Sequence, residues 1–186
     1  ASCLVGSEMC IRDRWNTYVE ATPPYFIENY NIADAIYAAS LLNACINRGD
    51  IITNTGIYHL INVMGNYRIE KKKIWKTPTT LVLELYTKFH KGKILKSVVN
   101  SSNFVSFKLG KQPEYKNNKL IDSAVTMNGK HMCMSVVNKS SSEKILLKVP
   151  YLDRIAENYC IEGSNKVDLN TYENTSRVKK KKNSLK

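Results

Sequence analysis

The sequence predicts an α/β segment followed by an all-β segment. Three observations carry this prediction. Residues 31–92 read as helix, strand, long loop and helix, the order of an α/β unit. From Lys93 onward the apolar period changes to two. Asn128-Gly129 sits between two alternating runs, which is a type I′ hairpin signal. Short strands with turns at this spacing point to a β-sandwich or jelly roll. At 186 residues the chain suits one domain or parts of two.

The elements follow in order. Residues 1–14, ASCLVGSEMCIRDR, fit neither helical nor strand periodicity and read as a non-native head. Native-looking sequence starts at Trp15, and Thr22-Pro23-Pro24 marks a loop. Asn31 is a good N-cap, and Asp34 stands in the capping-box position. Ile32, Ile36, Ala39, Leu42 and Ile46 recur at helical spacing, with Arg48 and Gly49 at the end. Ala33, Ala35, Ala38 and Ala39 permit close approach to a sheet. Asp50 to Thr53 reads as a short buried strand, and Ile57 to Val63 is apolar but for His59 and Asn62. A long polar loop runs on to Pro78. Thr77 then caps a second helix, with Pro78 at its first position. Leu81, Val82, Leu85, Tyr86 and Phe89 form its apolar face, and Gly92 closes it. Ile94–Val99, Phe104–Lys108, Leu120–Thr126, His131–Val137, Lys144–Val149 and Arg154–Ile161 are strand candidates. The stretch from Gly163 to Lys186 is polar and basic with little to bury.

Composition narrows the function. With 43% apolar and 24% charged residues the chain falls in the globular class. No apolar run approaches the ~20 residues that span a bilayer, so no membrane partner is expected. Ala1 to Cys10 lacks the basic start of a signal peptide, and the compartment stays open. The net charge is +12, concentrated in Lys71–Lys73 and in Arg177, Lys179–Lys182 and Lys186. A nucleic-acid surface interleaves aromatics with its basic runs. These runs do not, so solvated faces are the preferred reading and no nucleic acid is expected. Cys3, Cys10, Cys45, Cys133 and Cys160 are widely spaced and include no CxxC, so neither a zinc site nor any other cofactor is expected. Cys45 and Cys133 lie in apolar periodic segments and read as small core residues. Asn100, Asn138 and Asn174 begin N-x-S/T triplets, a pattern too common to locate the protein.

Several motifs, taken in order, resemble one family. They are Trp15-Asn16; Tyr30-Asn31-Ile32-Ala33-Asp34-Ala35; Asn47-Arg48-Gly49-Asp50-Ile51; His59-Leu60-Ile61-Asn62; Trp75-Lys76-Thr77-Pro78 with Glu84-Leu85-Tyr86; Val136-Val137-Asn138; and Leu169-Asn170 with Tyr172-Glu173-Asn174. Together they resemble the α-L-arabinofuranosidases of glycoside hydrolase family 51. The resemblance implies the last segment of a (β/α)8 barrel in residues 15–92, a jelly-roll-type β-sandwich in residues 93–178 and a basic tail in residues 179–186. It also implies retaining hydrolysis of terminal α-L-arabinofuranosyl groups by two carboxylates about 5 Å apart. The acid/base glutamate of the family lies upstream of this chain. The family's nucleophile precedes Trp-Asn, and here that position is Arg14. A guanidinium stays protonated and cannot attack an anomeric carbon, so the chain alone is expected to be inactive. The first 90 residues, as an unclosed barrel segment, are expected not to fold alone.

The resemblance places substrate-binding residues as well. His59 follows the candidate last strand, where barrels hold functional side chains. Its implied role is a hydrogen bond to a sugar hydroxyl, against the alternative of a satisfied core histidine. Asn62 is a second candidate, and Trp15 and Asn16 line or buttress the nucleophile position. Trp75 and Tyr67 offer flat faces to a sugar ring or pack on the rim. Arg68, Glu70 and Lys71–Lys73 read as a solvated charge cluster. The implied partner is an arabinofuranosyl-containing saccharide, with a homo-oligomer possible for the full-length enzyme. Two other functions stay open: a non-catalytic carbohydrate-binding or structural sandwich, and a basic nucleic-acid-binding protein.

Overall fold

A computed structural model describes residues 10–17, 29–57, 59–108, 110, 113–150, 155 and 157–183. The first part is a β-α-β unit. Strand β1 (Cys10–Trp15) runs parallel to β2 (Ile52–Ile57), and helix α1 (Ile32–Asn47) lies between them in sequence. Two expectations change here. Residues 10–14, without strand periodicity, have strand backbone. The strand expected at Asp50–Thr53 starts two residues later, runs to Ile57, and leaves Thr53 and Asn54 exposed. Register irregularities between β1 and β2 blur any clean alternation.

Helix α1 begins as its sequence requires. The Asn31 side chain accepts the N–H groups of Ala33 and Asp34, and the Asp34 carboxylate accepts the Asn31 N–H at 2.9 Å. The next donors are met from far along the chain: Ile32 N–H bonds the Asp168 carbonyl at 3.0 Å, and Ala33 N–H bonds that of Lys166 at 3.1 Å. The deepest residues of α1 are the small ones, Ala35, Ala38, Ala39, Asn43 and Cys45, together with Ile32. Ile36 and Leu42 pack at the edge of that contact. Short side chains let the helix axis come close to its neighbours, so the larger apolar groups are pushed to the rim.

The long stretch before Pro78, read as a loop, contains a hairpin. Strand β3 (Tyr67–Glu70) pairs antiparallel with β4 (Lys73–Lys76) across Lys71-Lys72. Helix α2 (Pro78–Phe89) follows with proline at its first turn. Thr77 occupies the N-cap position, but its hydroxyl makes no cap bond and donates instead to the Asn66 carbonyl at 2.9 Å.

The remainder is antiparallel. Strands β5 (Lys93–Leu95), β8 (Ile121–Asn128) and β9 (His131–Asn138) form a three-stranded sheet in the order β5-β8-β9. Strand β6 (Asn103–Ser106) pairs with β7 (Tyr115–Lys119), and β10 (Tyr159–Glu162) pairs with β11 (Lys179–Lys182). The Asn128-Gly129 turn joins β8 to β9, with Gly129 at φ +59°. The candidate strand at Lys144–Val149 is not one: it has the alternation but no paired neighbour among the described residues, and Leu146 is 96% exposed. Among the described residues of the last candidate, Tyr159, Cys160 and Ile161 are strand, in β10, while Arg154 and Ala156 lie outside the described residues. Strand β11 lies in what the sequence presents as a basic tail, where an ion pair to Glu162 and another to Glu157 flank it.

The core crosses the expected boundary at Gly92. Ala35 and Ala39 of α1 pack with Val82 of α2 and Val137 of β9, while Ile32 and Leu81 pack with Val178 beside β11. A polar cluster lies among these elements. The buried Asn43 side chain accepts hydroxyl hydrogens from Tyr86 at 2.6 Å and Ser135 at 2.5 Å. Burial pushes the Tyr86 phenol well above its ordinary range. Cys45 is buried and Cys133 half-buried, in keeping with small packing residues.

His90, at the end of α2, stacks on Tyr86 with ring centroids 5.0 Å apart and shares a hydrogen bond with Thr126. Its Nε2 is buried without a partner among the described residues. Burial lowers the imidazole from 6.5 to about 4. Between those values the unfolded chain binds more protons, so stability falls as pH drops through the window and is regained above it. Solvent reaching part of the ring screens the effect, and the expected loss by about pH 4 is about 2 kcal/mol. Denaturation midpoints measured across that range should show it, and His90→Gln should flatten the dependence.

Candidate functional site

The C-terminal ends of parallel strands share one edge, and residues just beyond them face a common space. Trp15 and Ile57 are register partners at that edge. Trp15 is 4% exposed; its indole N–H donates to the Thr55 hydroxyl at 2.8 Å, and its ring meets Tyr37 edge-on. The indole is therefore a structural wall, locking β1 to β2. The Arg14 position lies one residue earlier in β1.

Asn16 reaches across this edge. Its amide donates to the Met64 carbonyl at 2.9 Å, and the buried Tyr30 hydroxyl donates to the same carbonyl at 3.1 Å. Two donors, one just after β1 and one just before α1, thus anchor the loop 59–66 that leaves β2. His59 N–H closes on Met64 at 3.2 Å, and both Asn66 donors return to the His59 carbonyl at 3.1 Å. The Arg68 guanidinium donates to the Val63 carbonyl at 2.8 Å. Arg68 is only 8% exposed, so it belongs to this loop and not to the solvated charge cluster that its neighbours suggest.

Within this frame His59 and Asn62 are exposed. The Asn62 carbonyl side chain accepts Ile69 N–H at 2.8 Å, which leaves its amide donors for other use. Exposed imidazole and amide groups over a strand edge are suited to bonding hydroxyl groups. Tyr58 lies outside the described residues. Trp75 is directed elsewhere: its indole N–H donates to the Asn170 carbonyl at 3.0 Å and its ring meets Tyr172 at 6.3 Å. It borders a shallow cavity of about 250 Å³ with Leu81, Thr175 and Ser176. Tyr67, half-buried, lies in β3 opposite Lys76.

Two features of the loop escape sequence reading. Asn62 and Val63 adopt φ of +48° and +45°. Asparagine tolerates that region, but a β-branched residue there is strained. Val63→Gly should therefore raise stability by about 0.5–1 kcal/mol in thermal melts, the reverse of the usual sign. Tyr30 and Arg68 are the other missed members. Tyr30 directly precedes the N-cap, which is the only local hint of its position.

Among the described residues no cluster of His, Cys, Asp and Glu could hold a metal ion. No helix there is long and apolar enough to cross a membrane.

Comparison with known proteins gives these features a context. A family model described as the α-L-arabinofuranosidase C-terminal domain matches residues 13–186. The fold is similar to a thermostable family 51 α-L-arabinofuranosidase from Thermotoga petrophila, with TM-score 0.80 and 23% identity over 93% of this chain and 38% of that one. It is similar also to the Thermotoga maritima α-L-arabinofuranosidase solved as an arabinose complex, with TM-score 0.79, 24% identity and the same coverages. A family 51 α-L-arabinofuranosidase from Bifidobacterium longum gives TM-score 0.70 at 18% identity, covering 84% of this chain and 31% of that one. The chain thus spans less than two fifths of these solved relatives. Among curated protein sequences none matches. The chain belongs to the α-L-arabinofuranosidase C-terminal domain family and corresponds to the C-terminal part of the family 51 enzymes.

Proposed function

We propose that this chain is the C-terminal portion of a retaining glycosidase that releases terminal α-L-arabinofuranosyl groups from arabinose-containing saccharides. In this reading β1, α1, β2 and α2 are the last segment of a (β/α)8 barrel, and the antiparallel strands belong to a jelly-roll-type sandwich. The family match over residues 13–186 carries the proposal. The parallel pair supports it, because its C-terminal edge gathers Trp15, Asn16 and the loop of His59 and Asn62.

Retaining hydrolysis needs a carboxylate to attack the anomeric carbon and a second one to protonate the leaving oxygen. Arg14 stands at the nucleophile position and supplies neither. The acid/base carboxylate belongs to the preceding barrel strands. His59 and Asn62 then hydrogen-bond sugar hydroxyls, and Asn16 and Tyr30 hold their loop in place. Trp75 contributes to the rim.

The test joins the preceding barrel strands of a Thermotoga relative to residues 15–186, with Arg or Glu at position 14. An aryl α-L-arabinofuranoside is the substrate, and melting curves show that both chimaeras fold. The Glu form should turn over and the Arg form should be inactive, as should the 186-residue chain. Hydrolysis by the unmodified chain, or a folded Glu chimaera without activity, overturns the reading.

The nucleic-acid alternative loses support from the ion pairs. Lys76 and Lys180 share Glu84, Lys181 pairs with Glu162, Lys182 with Glu157, and Arg177 with Asp168. Among the described residues much of the C-terminal charge is thereby met within the fold, which weighs against a long basic stripe of the kind a duplex requires.

A further inference from the structure

One basic site stands apart from this internal pairing. Lys71, Lys72 and Lys73 are exposed at the β3–β4 turn. The Lys73 ammonium lies 4.3 Å from the Tyr172 ring centroid and that of Lys71 lies 5.1 Å from it. Lys73 also donates to the Tyr172 carbonyl at 3.0 Å. Two like charges repel when brought to one ring, and each cation–π contact offsets only about 0.5–1 kcal/mol. Tyr172 thus gathers two ammonium groups around one ring, and a bound anion would offset their repulsion. Lys179 adds a fourth exposed cation on the neighbouring cavity wall.

The carboxylates facing the group are Glu70 and Glu173. Glu70 is 4.0 Å from Lys71, a loose pair. Its own backbone N–H and the Thr171 hydroxyl hold the Glu173 carboxyl below its ordinary range, with Lys73 and Lys71 adding to the effect. Lys71, Lys72, Lys73 and Lys179 against Glu70 and Glu173 leave a local excess of two positive charges. Beside them, the 250 Å³ cavity is lined by Trp75, Thr175 and Ser176. An aromatic residue beside hydroxyl-bearing ones is a composition that suits a sugar ring.

We propose that Lys71–Lys73, Tyr172 and the cavity beside Trp75 form a binding surface for a carboxylate-bearing polysaccharide, with uronate groups set against the paired ammonium groups. The choice of a saccharide over other polyanions rests on the arabinofuranosidase reading. On that reading, the surface holds the acidic backbone of a polymer whose neutral arabinose branches are the substrate.

The test is affinity electrophoresis of the full 186-residue chain in gels containing polygalacturonate or neutral arabinan, with a short DNA duplex measured in parallel by fluorescence anisotropy. Polygalacturonate should retard the chain, and added salt should weaken the effect. Lys71→Gln, Lys72→Gln and Lys73→Gln together should lower affinity at least about tenfold. Lys180→Gln, Lys181→Gln and Lys182→Gln together, an equal change in charge, should leave it within about twofold. All six side chains are exposed, and melting curves verify folding. Absence of retardation, equal loss in both triple variants, or tighter binding to the duplex overturns the proposal. Polygalacturonate contains no arabinose, so its binding and the hydrolysis of arabinofuranosides fail independently.

Discussion

Gly65→Ala is expected to displace the loop that carries His59 and Asn62. A Cβ built at Gly65 lies 2.4 Å from the Ile61 carbonyl carbon and 2.6 Å from both the nitrogen and oxygen of Asn62. These are backbone atoms, so no side chain can swing aside. They also belong to the strained turn at Asn62 and Val63. The loop cannot expand outward, because Asn16, Tyr30, Arg68 and Asn66 hold its carbonyls. The cost should be about 3 kcal/mol, near the upper range for overpacking. For a chain of this length that lowers Tm by about 6–12 °C. Amide exchange at residues 59–66 should rise first, which separates a local loop effect from general unfolding.

Asn170→Ala should cost more, about 4 kcal/mol. Asn170 is 6% exposed, and its side chain makes three bonds: to the Lys76 carbonyl at 2.9 Å, the Val178 carbonyl at 3.0 Å and from the Val178 N–H at 2.7 Å. Removing it strands these partners without water, and each unmet buried group costs about 1–3 kcal/mol. It also frees Val178, which is 1% exposed against Ile32 and Leu81. Asn170→Asp keeps the acceptor but turns a carboxylate toward two carbonyls, so it should recover little. Chemical denaturation of the two variants beside the parent checks both statements. A loss under about 1 kcal/mol for Asn170→Ala would show that the C-terminal segment is not anchored here.

The same contacts explain why the late Leu169-Asn170 motif can be seen in the sequence although its purpose cannot. Trp75, Lys76 and Lys73 on the β4 strand all bond to residues 170 or 172, more than 90 positions further on. Residues 166 and 168 finish the cap of α1 in the same way. The C-terminal segment therefore belongs to the packing of the α/β part as much as to the strands beside it.

What the sequence determined by itself was local. Asn31 with Asp34 set the start of α1, Pro78 that of α2, and Asn128-Gly129 the β8–β9 turn, because each acts on backbone within a few residues. The ordered motifs marked the family and drew attention to Trp15, Asn16, His59 and Asn62. Only the tertiary structure decided the rest. Arg68 is buried because the turn five residues before it folds back to offer the Val63 carbonyl, though exposed charges follow it in the chain. The polar strands β7 and β11 exist because a partner strand accepts their backbone bonds, a condition absent from their own letters. Lys144–Val149 has the letters and lacks the partner among the described residues. Trp75 turns to Asn170 and Tyr172 for the same reason: its hydrogen-bond and ring partners are brought to it by the chain's return, and no spacing within residues 67–78 encodes that return.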